Sequence, residues 1–96
     1  MRVQFVTREN GPERLVCEAE ILFEDGPLAG TKLVGLSLWR GQDGEVSVTF
    51  PARSFGVGGE RRFFDFLRAV ETGSDAVKRV KTWVADEYRA AVAQVA

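Results

Sequence analysis

Residues 31–50 read TKLVGLSLWRGQDGEVSVTF, two apolar-rich runs on either side of GQDG. Turn residues between strand-forming segments predict a hairpin. With Gln42 and Asp43 as the loop, Arg40 faces Glu45, Trp39 faces Val46, Ser37 faces Val48 and Gly35 faces Phe50. This register places Leu33, Trp39, Val46, Val48 and Phe50 on one side, with Phe50 over side-chain-free Gly35. Val34, Leu36 and Leu38 stand on the other side, beside Ser47 and Thr49. The first of the two strands is then apolar on both faces. One helix covers only one face of a sheet, so a second copy of the chain is the simplest cover for the rest.

Upstream, residues 2–8 (RVQFVTR) read as a strand closed by the turn signal ENGP. Residues 14–24 (RLVCEAEILFE) alternate with a period of two, which marks a further strand. Leu15, Cys17, Ala19, Ile21 and Phe23 share its apolar face. Glu18, Glu20 and Glu24 lie on the opposite, solvated one. Cys17 is expected in the core rather than as a reactive thiol. DGPLAG then breaks the strand.

Downstream, residues 60–70 (ERRFFDFLRAV) fit a fifth strand or a short helix, and the adjacent phenylalanines after glycines favour a strand. From Ser74 the period becomes helical. Ser74 is a suitable N-cap, with Asp75 near the positive end of the helix dipole. Val77, Val80, Val84, Tyr88, Ala91 and Val95 form the apolar stripe, broadened by Trp83. Lys78, Lys81 and Arg89 fall off it and should be wet. The expected fold is α+β: one domain over residues 1–96, a four- to five-stranded antiparallel sheet followed by one long C-terminal helix. The apolar strand predicts pairing through the sheet in a dimer.

Composition narrows the function. The chain has 96 residues, 45% hydrophobic and 28% charged, which suits one small globular domain. No apolar run approaches a membrane span, and MRVQFVTREN lacks the apolar middle of a signal peptide, so no membrane partner and a cytoplasmic location are expected. A single cysteine agrees with that. Histidine is absent, which removes Ser-His and Cys-His nucleophiles and histidine metal ligands. SFGVGGE is no phosphate loop, because no Lys-Ser/Thr follows it. No catalytic residue, metal ligand or cofactor is therefore expected, and the chain reads as a non-enzyme.

Net charge is −1, but it is unevenly placed. Residues 1–45 carry five basic and eight acidic side chains, whereas residues 46–82 carry seven basic and four acidic. An anionic partner should meet the second half. Within it, SVTFPARSFGVGGERRFFDF (47–66) brings a strand to Pro51, turns through glycines and returns past Arg61 and Arg62. A hairpin there would set Arg53 and Arg61 on one rim, where guanidinium forks suit phosphate. Phe55 could stack on an unpaired base or pack under its own loop. Phe63, Phe64 and Phe66 read as core and dimer interface rather than base platforms. Lys78, Arg79 and Lys81 cluster in the first turns of the helix, either as a solvated face or as an extension of the arginine rim.

Three short motifs resemble the stage V sporulation protein G (SpoVG) family. They are Phe50-Pro51-Ala52-Arg53 at a strand end, Gly59-Glu60 with Arg62 just after, and Glu87-Tyr88 late in the helix. The similarity runs from about residue 17 to residue 90. It implies a small bacterial regulator of the sporulation and septation type, cytoplasmic and homodimeric through its β-sheet, that binds DNA and in some members RNA. Arg53, Arg61 and Arg62 are the positions it implies for nucleic-acid contact. Two elements depart from the family pattern: Arg53-Ser54 stands where two basic residues are usual, and DFLR where a His-Pro element is usual. The other class of function open to this sequence is a protein-interaction module that docks through the apolar sheet without nucleic acid.

Overall fold

A computed structural model describes residues 1–56, 59 and 62–95, and of Phe55, Arg62 and Val95 the backbone only. The described elements are β1 (Arg2–Val6), β2 (Leu15–Leu22), β3 (Lys32–Arg40), β4 (Val46–Thr49), β5 (Ala52–Phe55), β6 (Arg62–Asp65) and α1 (Ala76–Val95). Strands β1 to β4 form one antiparallel sheet in sequence order, and β5 and β6 form a separate two-stranded sheet. The α+β class and the C-terminal helix are as the sequence predicts. The fifth strand exists, but it does not join the main sheet.

The β3–β4 hairpin is one residue out of the expected register. Arg40 faces Val46, Trp39 faces Ser47, Leu38 faces Val48 and Ser37 faces Thr49. The loop holds three residues rather than two. Gly41 N–H donates to Glu45 C=O at 2.7 Å, Gly44 N–H to Gly41 C=O at 3.2 Å, and Gly44 takes φ 84°. This is a turn followed by a left-handed residue, for which glycine is suited. A one-residue shift exchanges every side chain between faces. Leu36 and Leu38 therefore face the core with Val48 and Phe50, while Ser37, Trp39, Ser47 and Thr49 share the far side.

Two bulges adjust the neighbouring pair. The β2–β3 register passes from Ala19 opposite Leu36 to Ile21 opposite Leu33, so Glu20 meets both Val34 and Gly35. Gly35 takes φ 92° at this bulge, and the extra residue brings Leu33 round to pack on the core. Val34 is left exposed. At the other end Val16 is the extra residue. It packs on the core, while Leu15 pairs with Trp39 instead of joining Cys17. Phe50 does not lie over Gly35 as expected; the residue against Gly35 is Pro51, 3.1 Å from where a Cβ would sit.

Helix α1 covers one face of the sheet. Ser74 Oγ accepts the Ala76 N–H at 3.1 Å, and Asp75 C=O accepts the Arg79 N–H at 3.0 Å, which starts the helical ladder. Val84 and Ala85 are buried among Cys17, Ala19, Ile21, Leu36, Leu38, Val48 and Phe50. Val77, Val80, Trp83 and Tyr88 pack around them, with the Phe5 and Tyr88 rings edge to face at 5.5 Å. Burying one such aliphatic side chain contributes roughly 1.5–3 kcal/mol, so Leu36, Leu38 and Val84 are the main anchors.

The far face carries the solvated Glu18 and Glu20 as expected, but on β3 it presents Ser37 and Trp39 where Leu36 and Leu38 were expected. Arg8–Glu18 (3.1 Å), Lys32–Glu20 (3.2 Å) and Arg2–Glu24 (3.4 Å) tie its edges, and Gln4 Nε2 donates to Glu20 Oε1 at 3.2 Å. The register shift thus removes the doubly apolar strand on which pairing through the sheet was argued. Val6 and Val34 remain exposed on the sheet, and the larger exposed apolar side chains, Phe63 and Phe66, lie off it.

Candidate nucleic-acid interface

Strand β4 ends because Pro51 has no N–H to continue its ladder. Buried Phe50 holds the chain to the core up to that point. Beyond it the chain leaves the sheet as a β5–β6 arm and returns to the body at half-buried Leu67. Arm pairing sets Ala52 opposite Asp65, Arg53 opposite Phe64, Ser54 opposite Phe63 and Phe55 opposite Arg62. Phe66 N–H donates to Pro51 C=O at 2.9 Å and extends the ladder by one step. Among the described residues, β5 and β6 make no more than marginal contact with the sheet or the helix. The radius of gyration, 14.9 Å, accordingly exceeds the ~12.5 Å of a compact domain of this length.

The arm's phenylalanines are its unexpected feature. Phe63, Phe64 and Phe66 are 72%, 40% and 62% exposed in the single chain, so they do not belong to its core; the expectation that they are core and dimer interface is corrected in its first half only. A sequence signal for this existed. Adjacent residues on a strand point to opposite faces, so a two-stranded arm cannot bury both Phe63 and Phe64.

The sequence-derived cations divide as follows. Arg53 is exposed on β5, opposite Phe64. Arg62 is placed by its backbone alone, as a diagonal neighbour of Arg53 across the arm. Arg61 lies outside the described residues. The side chain of Phe55 does too, while its backbone pairs with Arg62.

On the helix, Arg79 Nη1 pairs with Asp75 Oδ1 at 3.1 Å, and both side chains are about 70% exposed. Such a pair contributes little and leaves the guanidinium accessible. Lys78 is exposed. Lys81 was expected to be wet, but it is half-buried, its Nζ 5.7 Å from the centroid of the Phe50 ring. That cation–π contact seats one helix cation at the root of the arm. Arg53 lies three residues further along, on the order of 10 Å of extended chain. Phe50 thus joins the helix cations to the arm, a link the sequence pattern did not show.

No group of three or more potential metal-ligating side chains occurs among the described residues. Cys17 is buried and its thiol is pushed up by desolvation, which makes it a core residue rather than a nucleophile. No described helix is long and apolar enough to cross a membrane. Comparison with protein-family models, with curated proteins and with solved structures found no match to this chain. The SpoVG resemblance therefore rests on its short motifs alone.

Proposed function

We propose that this chain is a small nucleic-acid-binding regulatory protein, similar in kind to the SpoVG family, acting as a cytoplasmic homodimer rather than as an enzyme. The observation that carries the reading is the arm: Arg53 stands exposed opposite Phe64 on a hairpin that reaches out of the body. Lys81 and Lys78 extend the positive surface from the root of the arm onto the helix. Arg61 and Arg62 belong to the same reading by their position in the chain. In a two-fold dimer each patch occurs twice, and weak contacts add through effective concentration.

The alternative is a protein-docking module without nucleic acid, for which the far sheet face offers Val6, Val34 and half-buried Trp39 among polar residues. Its other supporting observation is the exposed arm phenylalanines. A mobility-shift titration of single- and double-stranded DNA and RNA at low salt separates the two. Binding that is lost in folded Arg61→Glu/Arg62→Glu protein supports the proposal. Absence of binding by folded wild-type protein to all four probes moves the function to protein contact.

A further inference from the structure

We infer that the ligand of the β5–β6 arm is an unpaired nucleic-acid strand, its bases stacked on Phe63, Phe64 and Phe66 and its phosphates met by Arg53 and Lys81. This rests on the nucleic-acid reading above and narrows its ligand to single strands.

The first ground is spacing. Phe64 lies on β6 with Arg53 directly opposite, and Phe66 follows one residue past the strand's end, where its N–H to Pro51 C=O continues the ladder and keeps the two-residue, same-face spacing. Same-face neighbours on a strand lie roughly 6.5–7 Å apart. Bases stacked along one strand of a duplex rise only ~3.4 Å. Neighbouring bases must leave the duplex stack to lie on both rings. An unpaired strand can do so and a duplex cannot.

The second ground is access. Phe63 is exposed on the opposite face of the arm, next to Phe64 in sequence. Because the arm is not packed on the body, a strand can pass from one face to the other and use all three rings. A flat interface would offer one face only.

The third ground is charge. The whole chain carries −1, and the described cations at the arm and its root include Arg53, Arg68 and Lys81, with Lys78 one helical turn from Lys81. Three or four neutralised phosphates give modest, salt-sensitive affinity. Base–aromatic stacking multiplies affinity by roughly 5- to 140-fold per base. Stacking at that scale adds substantially to contacts with phosphate, and stacking requires unpaired bases.

The test uses fluorescein-labelled dT20, rU20 and a 20-base-pair DNA duplex, titrated by anisotropy with wild-type protein and the Phe63→Ala/Phe64→Ala/Phe66→Ala variant. Affinities are compared only for variant protein whose melting and far-UV circular dichroism profiles show it to be folded, and Phe63→Ala/Phe66→Ala, which removes the two most exposed rings, serves as the second variant. The inference expects a single-stranded probe to bind at least tenfold more tightly than the duplex. The variant should lose at least tenfold on that probe, with its salt slope and sedimentation coefficient unchanged. A duplex bound as tightly as the single strands, or a variant that keeps its affinity, would overturn the inference while leaving nucleic-acid binding intact. A variant that falls from dimer to monomer would also overturn it, by showing that a second copy covers the rings. No binding of any probe by wild-type protein would remove the function proposed above and this inference with it.

Discussion

Trp39 donates its indole N–H to Thr49 Oγ1 at 2.8 Å, across the β3–β4 pair. This bond exists only in the observed register, where Ser37 faces Thr49 and Trp39 shares its side of the sheet. With a two-residue loop the two side chains would lie on opposite faces. Thr49→Val keeps the shape and removes the acceptor. It should cost about 0.5–1.5 kcal/mol in urea unfolding, with the slope m unchanged. The Trp39 indole N–H resonance should also shift. No change in either reading would mean that the bond is not made in solution.

The same register separates residues that look alike in sequence. Leu36 and Leu38 are fully buried, whereas Val34 is 51% exposed at the bulge. Leu38→Ala should lose about 2–5 kcal/mol and Val34→Ala less than about 1 kcal/mol. Equal losses would argue against the assigned faces.

Gly35 links the bulge to the root of the arm. Its φ of 92° disfavours any side chain, and an added Cβ would stand 3.1 Å from Pro51 Cβ. Gly30 has a similar φ of 85° with nothing within 4 Å, so it isolates the backbone effect. Gly35→Ala should cost about 1–3 kcal/mol and exceed Gly30→Ala. If Gly30→Ala proves the costlier of the two, the contact with Pro51 is not tight.

Cys17 gives a pH dependence of known sign. Burial disfavours the thiolate, so the folded pKa lies above the unfolded one. The contribution to stability is fully present below the unfolded thiol pKa and is lost as pH rises through the raised folded value. Cys17→Ala should therefore flatten the alkaline fall in melting temperature. A fall of the same steepness in the variant would assign it to other groups.

Much of the fold was legible in the sequence. The period of two across Cys17, Ala19 and Ile21 placed β2 and its buried face, and the period change at Ser74 placed the helix. The hairpin between β3 and β4 was legible as well, but its register was not. GQDG admits a two- or a three-residue loop, and only the positive φ at Gly44 decides between them. That single residue moved Leu36 and Leu38 to the core and Ser37 and Trp39 to the far face. For the candidate site, the basic bias of residues 46–82 pointed to the half of the chain that contains the arm. What escaped was the exposure of Phe63, Phe64 and Phe66: strand alternation puts Phe63 and Phe64 on opposite faces, but it shows exposure only once the pair is known to stand apart from the main sheet. The seat of Lys81 on Phe50 is a tertiary contact that no local pattern encodes.

If Arg53, Arg61 and Arg62 meet nucleic-acid phosphate, the salt dependence of dT20 affinity should differ between wild-type protein and Arg53→Glu/Arg61→Glu/Arg62→Glu protein of unchanged melting temperature. For the wild type log K should fall linearly with log salt, and the variant should lose about 2 from the magnitude of that slope together with much of its affinity. A folded variant with the wild-type slope and affinity would contradict that contact.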